Sequence, residues 1–294
     1  MEKYESCPMW EKIFSEKLFE KDSLDDLMSK KNYKIALYNP STHGSFFLNN
    51  IMYKVAEALG NDIFLLEKIR NRNIFGGHTI TYRNIVLDLD YLQALEEYLF
   101  VKESMSEDCS LLEIGAGYGR TCHSIISLCP SINSYSIVDF PQMLNISRAY
   151  LGRVLTVEQF NKIQFLDFSQ FRDLEKKKIC FDLVMNIDSM QEMPEQTVRD
   201  YLNFINRHAQ YFYTKNTLGK FSPEMIGVMS SAQVNPALSS GILRDMINIF
   251  CPDELAMAQR NFLTEFSPSK LFSVFKSGKI LAWSHYYQVL YKKS

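Results

Sequence analysis

The sequence predicts an α/β chain, a parallel sheet covered by helices on both faces, behind a mostly helical N-terminal region. Three observations carry this. From Ser110 onward, short apolar runs alternate with helical patterns across short connections, the rhythm of βα units. The run Leu111–Ile114 carries Glu113 and opens onto Gly115, Gly117 and Gly119, a spacing suited to a tight strand-to-helix turn. Ahead of residue 105 no such alternation appears. The expected division is therefore 1–105, a helical region covering the substrate side, and 106–294, a doubly wound sheet domain.

Taken in order, residues 9–31 space Trp10, Ile13, Phe14, Leu18, Leu24, Leu27 and Met28 as one amphipathic helix with a break near Asp22-Ser23. Residues 39–45 are turn-rich, and 46–59 and 61–71 read as helices. A Gly76-Gly77 loop leads to a short β-like run, then Asp88–Val101 is helical. Next come strands at Leu111–Ile114, Ser134–Val138, Ile163–Leu166, Phe181–Asn186 and Tyr211–Thr214. Helices are expected at 120–128, from Pro141, and over Pro194–His208, the prolines suiting first-turn positions. Ile280–Ser284 and Tyr286–Tyr291 read as a terminal antiparallel pair, and 218–270 as an insertion over the site.

Composition narrows the partners. The 294 residues carry a net charge of −2, and the longest basic run is Lys176–Lys178, so no basic face for nucleic acid is expected. No apolar run reaches the length of a membrane span, and Met1–Phe14 lacks a signal core, which points to the cytoplasm. Six cysteines without a C-x-x-C pair read as reduced, buried thiols rather than a zinc site. Magnesium on Asp188 is a further metal option, and the reading disfavours any metal. The acceptor is a small molecule; a homo-oligomer is an open option.

The glycine turn raises the question of its ligand. Ligands gather at the carboxyl ends of strands in such sheets. A dinucleotide turn uses G-x-G-x-x-G, but here Arg120 stands at the last glycine position, and Glu113 would repel a diphosphate. S-adenosylmethionine carries a sulfonium and an ammonium and no phosphate, so a carboxylate beneath the turn suits it, directly or through backbone and water. Asp139 ends the second strand and can accept the ribose hydroxyls; the bland alternative is a helix cap. Asp167 ends the third and either meets the adenine amino group or caps a turn at Ser169. Phe140 and Phe168 follow these acids and either flank adenine or pack in the core.

These motifs resemble those of class I S-adenosylmethionine-dependent methyltransferases, whose first motif is matched by Glu113, Gly115, Gly117 and Gly119. Within that superfamily "LLEIGAGYGR", "YSIVDFPQML" and "MNIDSMQEMPEQTVRDYL" look like the sugar O-methyltransferases associated with bacterial surface polysaccharides. That closer resemblance spans roughly residues 75–216, with Phe140 where leucine is commoner. It implies a Rossmann-like sheet with a terminal antiparallel strand and methylation of a hydroxyl on a sugar, glycoside or nucleotide-linked sugar.

Glu113, Gly115, Ala116, Gly117, Gly119, Asp139, Phe140, Asp167, Phe168 and Asn186 are then the expected cofactor contacts. Asp188, Gln191 and Tyr118 are expected to bind substrate, against the alternative that Asp188 and Ser189 cap the next helix. Glu192 and His78 are the candidate general bases. His43 and His123 are weaker candidates, His208 and His285 read as structural, and Tyr82 and Arg83 could line a sugar pocket. The alternatives carried are N-methylation of a small metabolite and a noncatalytic cofactor-binding partner subunit, with a dehydrogenase more distant.

Overall fold

The computed structural model describes residues 8–15, 44–177, 179–222, 225 and 236–294. Among these, the chain has a seven-stranded mixed sheet in the order Ile163–Leu166 (β5), Ser134–Val138 (β4), Ser110–Ile114 (β3), Phe181–Ile187 (β6), Ala209–Thr217 (β7), Tyr286–Lys293 (β9), Phe272–Lys279 (β8), flanked by helices. The α/β class and the doubly wound sheet read from the sequence are what the structure has. The described residues fall into two compact units, those within Lys17–Phe171 and those of Met1–Glu16 with Arg172–Ser294. No helix among them is long and apolar enough to cross a membrane.

The unit within Lys17–Phe171 begins with α2 (Ser45–Leu59) and a 3-10 helix (Gly60–Lys68), where an α-helix was expected over 61–71. Gly60 ends α2 at φ 60, which tightens the chain at that point. A hairpin follows, β1 (Ile80–Tyr82) and β2 (Ile85–Leu87). Its two-residue turn, Arg83-Asn84, has φ 49 and 65, the both-positive geometry that matches the strands' twist. Asp88 then caps α3 (Leu89–Val101) by accepting the Tyr91 N–H at 2.8 Å.

Strands β3 (Ser110–Ile114), β4 (Ser134–Val138) and β5 (Ile163–Leu166) are parallel, with Ile114 beside Val138 and Val138 beside Leu166. All but the first residue of β3 and β4 are buried, the pattern of strands covered on both faces. Helices α4 (Arg120–Leu128), α5 (Pro141–Val154) and the short α6 (Val157–Phe160) connect them, and α7 (Phe168–Glu175) follows β5. Arg120 forms a buried two-pronged ion pair with Glu97 at 2.9 and 3.0 Å and also donates to the Asp90 carbonyl. That bond ties α4 to α3.

In the other unit, α1 (Pro8–Ser15) confirms the start of the amphipathic helix; its continuation over 16–31, and His43, lie outside the described residues. Strands β6 (Phe181–Ile187) and β7 (Ala209–Thr217) are parallel, joined by α8 (Glu195–His208). β9 (Tyr286–Lys293) runs antiparallel to β7 and to β8 (Phe272–Lys279). The terminal antiparallel pair therefore exists, but its first strand ends at Lys279, and 280–284 is the connection. The span 218–270 contains α9 (Pro252–Glu265), whose Leu255, Ala258 and Phe262 are buried. At least this part is a packed helix of the unit. The exposed strand β8 carries a bulge at Val274/Lys276, a feature that discourages further strand pairing.

Candidate functional site

The turn after β3 is built as its sequence suggests. Gly115, Gly117 and Gly119 have φ of 76, 57 and 97. The Gly115 N–H reaches back to the Val138 carbonyl, and Gly119 caps α4 with its carbonyl accepting from His123. The two later glycines differ in what surrounds them. A Cβ on Gly119 would stand 2.8 Å from Leu151 Cδ1 of α5, whereas one on Gly117 would meet nothing within 4 Å. Gly119 is needed for close helix packing, and Gly117 faces open space.

Asp139, just past β4, is 8% exposed, and its two oxygens accept from the Gly117 N–H at 3.1 Å and the Phe140 N–H at 2.8 Å. It holds the glycine turn, while Phe140 occupies the cap position of α5 without a side-chain cap bond. The bland reading of Asp139 as the α5 cap is therefore corrected. Burial pushes its carboxyl up to about 7, against the N–H groups of Phe140, Gly117 and Ala116. Asp167 does cap: its Oδ1 accepts from Gln170 N–H and Ser169 Oγ, and Gln170 Oε1 accepts the Asp167 N–H in return. Those bonds hold its carboxyl below its ordinary range. Phe140 and Phe168, both half-buried, meet edge to face at 5.2 Å.

Glu113 lies in β3, beneath the turn. It is 1% exposed, and its carboxylate accepts from the Tyr135 hydroxyl of β4 at 2.8 Å. Burial pushes its carboxyl up to about 7; the Tyr135 hydroxyl and Arg120 oppose the shift and Glu97 adds to it. Glu113 braces β3 against β4 beneath the turn, a position that suits the indirect route through backbone and water rather than direct contact. The three carboxylates differ in state. Two of the three are buried and shifted toward neutrality, and the third is a helix cap.

Tyr118 is 5% exposed, its ring edge-on to Tyr150 at 4.9 Å and its hydroxyl donating to Asp90. It is packed in the core, with its hydroxyl engaged by Asp90, where the sequence reading expected a substrate contact. His123 is fully buried, its Nδ1 2.5 Å from the Tyr91 hydroxyl, and burial pushes its pKa down to about 4. His78 is half-buried, with Nε2 2.7 Å from Asn49 Oδ1. Tyr82 packs edge-on against Tyr53, and Arg83 lies over the Tyr82 ring and reaches Asn61. These contacts pack the hairpin against α2 and the 3-10 helix.

The other unit gathers polar groups at the carboxyl ends of β6 and β7. Asn186 is buried, donating to Ser189 Oγ at 2.5 Å and accepting from Met190 N–H and Asn216 Nδ2. Those bonds spend its amide on shaping the turn, so a direct cofactor contact through that side chain is corrected to a supporting role. Asp188 sits in that turn at φ 61, its N–H donating to the Lys215 carbonyl at 2.9 Å and its carboxylate 3.5 Å from Lys215 Nζ. An ammonium at that distance makes Asp188 a poor magnesium ligand.

Gln191 is a hub rather than an acceptor contact, another correction. Its N–H donates to Asn216, its Oε1 accepts from Thr217 N–H, its Nε2 reaches Tyr286, and its carbonyl accepts from Lys220 and Ser240. Glu192 is half-buried and accepts from the Trp10 indole N–H of α1 at 3.1 Å. His208 stacks on Phe204 with Nδ1 near the Ile179 carbonyl, as a structural residue would. His285 lies just ahead of β9 rather than in a strand, against Phe221 and Tyr286, and burial pushes its pKa down to about 4. Of the five described cysteines, Cys109 and Cys122 are buried, Cys129 and Cys251 half-buried and Cys180 exposed, so the expectation of buried thiols is corrected at Cys180.

Sequence reasoning missed Lys215, Asn216 and Tyr286. Lys215 and Asn216 lie in "YTKNT", and a lysine inside an apolar strand run was the available signal.

No family model and no curated protein matches the chain. Solved structures do. The methyltransferase domain of bacterial CtHen1 is 12% identical with a TM-score of 0.47, covering 70% of this chain and 100% of that one. The glycopeptide N-methyltransferase MtfA, solved with sinefungin, is 13% identical with a TM-score of 0.44, covering 69% and 85%. An O-methyltransferase family protein from Burkholderia thailandensis is 12% identical with a TM-score of 0.43, covering 70% and 58%. On strand order, with β9 reversed between β7 and β8, the chain has a Rossmann-like mixed sheet with one antiparallel strand near its edge.

Proposed function

We propose that this chain is an S-adenosylmethionine-dependent methyltransferase acting on a hydroxyl of a sugar or glycoside. The observation that carries the reading is the turn Gly115–Gly119 held by Asp139, with open space over Gly117. The nearest cation to follow the turn, Arg120, is committed to Glu97 within the core. A loop that offers backbone and a buried carboxylate, but turns its guanidinium away, fits a phosphate-free nucleoside better than a dinucleotide.

In this reading Gly115, Ala116, Gly117 and Gly119 let the backbone approach the cofactor, and Asp139 accepts its ribose hydroxyls. Phe140 and Phe168 flank the adenine, and Asp167 meets the adenine amino group while capping α7. When bound, the cofactor supplies an electrophilic methyl group. Asp188 binds the acceptor hydroxyl, the turn being shaped by Asn186 and Gln191. Glu192 or His78 serves as general base, a contribution of about 10²–10⁴-fold for a weakly acidic hydroxyl.

Incubation with methyl-labelled S-adenosylmethionine and a panel of nucleotide-linked sugars, followed by mass analysis, tests the reading. The expected result is a labelled methyl ether, with turnover falling at least tenfold in Glu192→Gln or His78→Ala. Label found on amines alone, or binding with no product across the panel, would refute hydroxyl methylation.

A further inference from the structure

Lys215 is a charged side chain in an unusual place. It sits on β7 with 1% exposure, although lysine is seldom fully buried unless paired. Its ammonium lies 3.5 Å from Asp188 Oδ2 and 5.9 Å from the Tyr286 ring centre. Its carbonyl takes the Asp188 N–H at 2.9 Å. One residue thus grips Asp188 at both backbone and carboxylate. The next residue, Asn216, grips the same turn through Asn186 and through the Gln191 N–H.

The grip maintains a costly conformation. Asp188 has φ 61, a region that costs a non-glycine residue about 1–3 kcal/mol and persists only where surroundings impose it. A buried lysine–aspartate pair is also a weak source of stability, since apolar residues of similar size often do as well. Strain and a buried charge, both spent on one carboxylate at a strand's carboxyl end, call for a functional reason.

We propose that Lys215 is a positioning residue that keeps the Asp188 carboxylate ionised and aimed to accept the hydrogen bond of the acceptor's hydroxyl. This rests on the hydroxyl-methyltransferase reading above. The side-chain exposures differ, Lys215 at 2% and Asp188 at 17%; Asp188 Oδ1 is itself buried, so the accessible part of this side chain lies at its other atoms, Oδ2 among them. The groups gathered about the turn are Lys215 from β7, Tyr286 beside the ammonium, Lys220 on the Gln191 carbonyl, Glu192 under Trp10, and the neutral amides of Asn186, Gln191 and Asn216. Among the described residues, Lys215 is a cation paired with the Asp188 carboxylate there.

The test uses the full chain and two substitutions, Lys215→Met and Asp188→Asn. Carbon-13 labelling of aspartate carboxyls gives a titration for Asp188, its signal identified by its loss in Asp188→Asn. The expected result is a midpoint at least about one unit higher in Lys215→Met than in the unsubstituted chain. In turnover, both variants lose about tenfold in kcat/KM, chiefly through KM for the acceptor, with affinity for S-adenosylhomocysteine unchanged. A folded Lys215→Met with an unmoved midpoint, or with unchanged kcat/KM, overturns the proposal. Should Lys215→Met fail to fold, Lys215→Gln is read by the same midpoint. Failure of the unsubstituted chain to methylate any hydroxyl would instead overturn the functional reading, and the titration still reports separately whether Lys215 holds Asp188.

Discussion

Two glycines of one turn are expected to fail in different ways when replaced by alanine. At Gly119 the added Cβ would stand 2.8 Å from Leu151 Cδ1, and Leu151 is fully buried, so it has little room to swing aside. Crowding of a packed core costs about 1–3 kcal/mol, and left-handed backbone adds about 1–2 kcal/mol for a residue with a Cβ. Gly119→Ala should therefore lose roughly 2–5 kcal/mol of stability. At Gly117 the Cβ meets nothing within 4 Å, and φ 57 is the centre of the left-handed region, so only the backbone term of about 1–2 kcal/mol applies. The space it enters is where the cofactor is proposed to lie. Gly117→Ala should weaken S-adenosylhomocysteine binding tenfold or more, which is about 1.4 kcal/mol. Urea unfolding reads the first quantity, and calorimetric titration of the folded protein reads the second. A Gly117→Ala protein that binds as well as the original would refute the placement of the ligand, and a Gly119→Ala protein of unchanged stability would refute the packing argument.

Three further outcomes follow from the same structure. Glu113 has a folded pKa of about 7, above its ordinary 4.5, so its contribution is full below that ordinary value and is lost as pH rises through about 7. Glu113→Gln should thus be more stable than the original at pH 8 and no more stable at pH 4, as measured by urea unfolding at both. Glu97→Gln leaves the Arg120 guanidinium buried against a neutral amide and should cost about 3–5 kcal/mol in unfolding free energy. Asp167→Ala removes a reciprocal helix cap, at about 1 kcal/mol of stability, and on the proposed adenine contact it also weakens cofactor affinity several-fold by calorimetry.

The sheet was legible because each strand's residues declare themselves locally. "LLEI", "SYSIV" and "IQFL" end at the positions where the structure ends them. The glycine turn was legible for the same reason, since spacing alone demands positive φ at Gly115, Gly117 and Gly119. What stayed hidden depends on partners distant in sequence. Glu113 reads as a ligand carboxylate until Tyr135 is found beside it, 22 residues on. Tyr118 reads as a pocket residue until Asp90 and Tyr150 enclose it. Gln191 reads as a sugar contact, yet its bonds go to Asn216, Thr217 and Tyr286. Lys215 stands out in the sequence only as a lysine within an apolar run, and its partner Asp188 is found only when β7 sets the two together. The first terminal strand was set too late because Phe272–Lys279 alternates without strong apolar content, with most of its residues exposed at the sheet's edge.

The most direct test of the central claim is a calorimetric titration of the unsubstituted chain with S-adenosylhomocysteine and, in parallel, with NADH. The account predicts saturable heat from one molecule of the sulfur nucleoside per chain, abolished by Asp139→Ala, and none from NADH. Saturable NADH binding with no response to S-adenosylhomocysteine would contradict it.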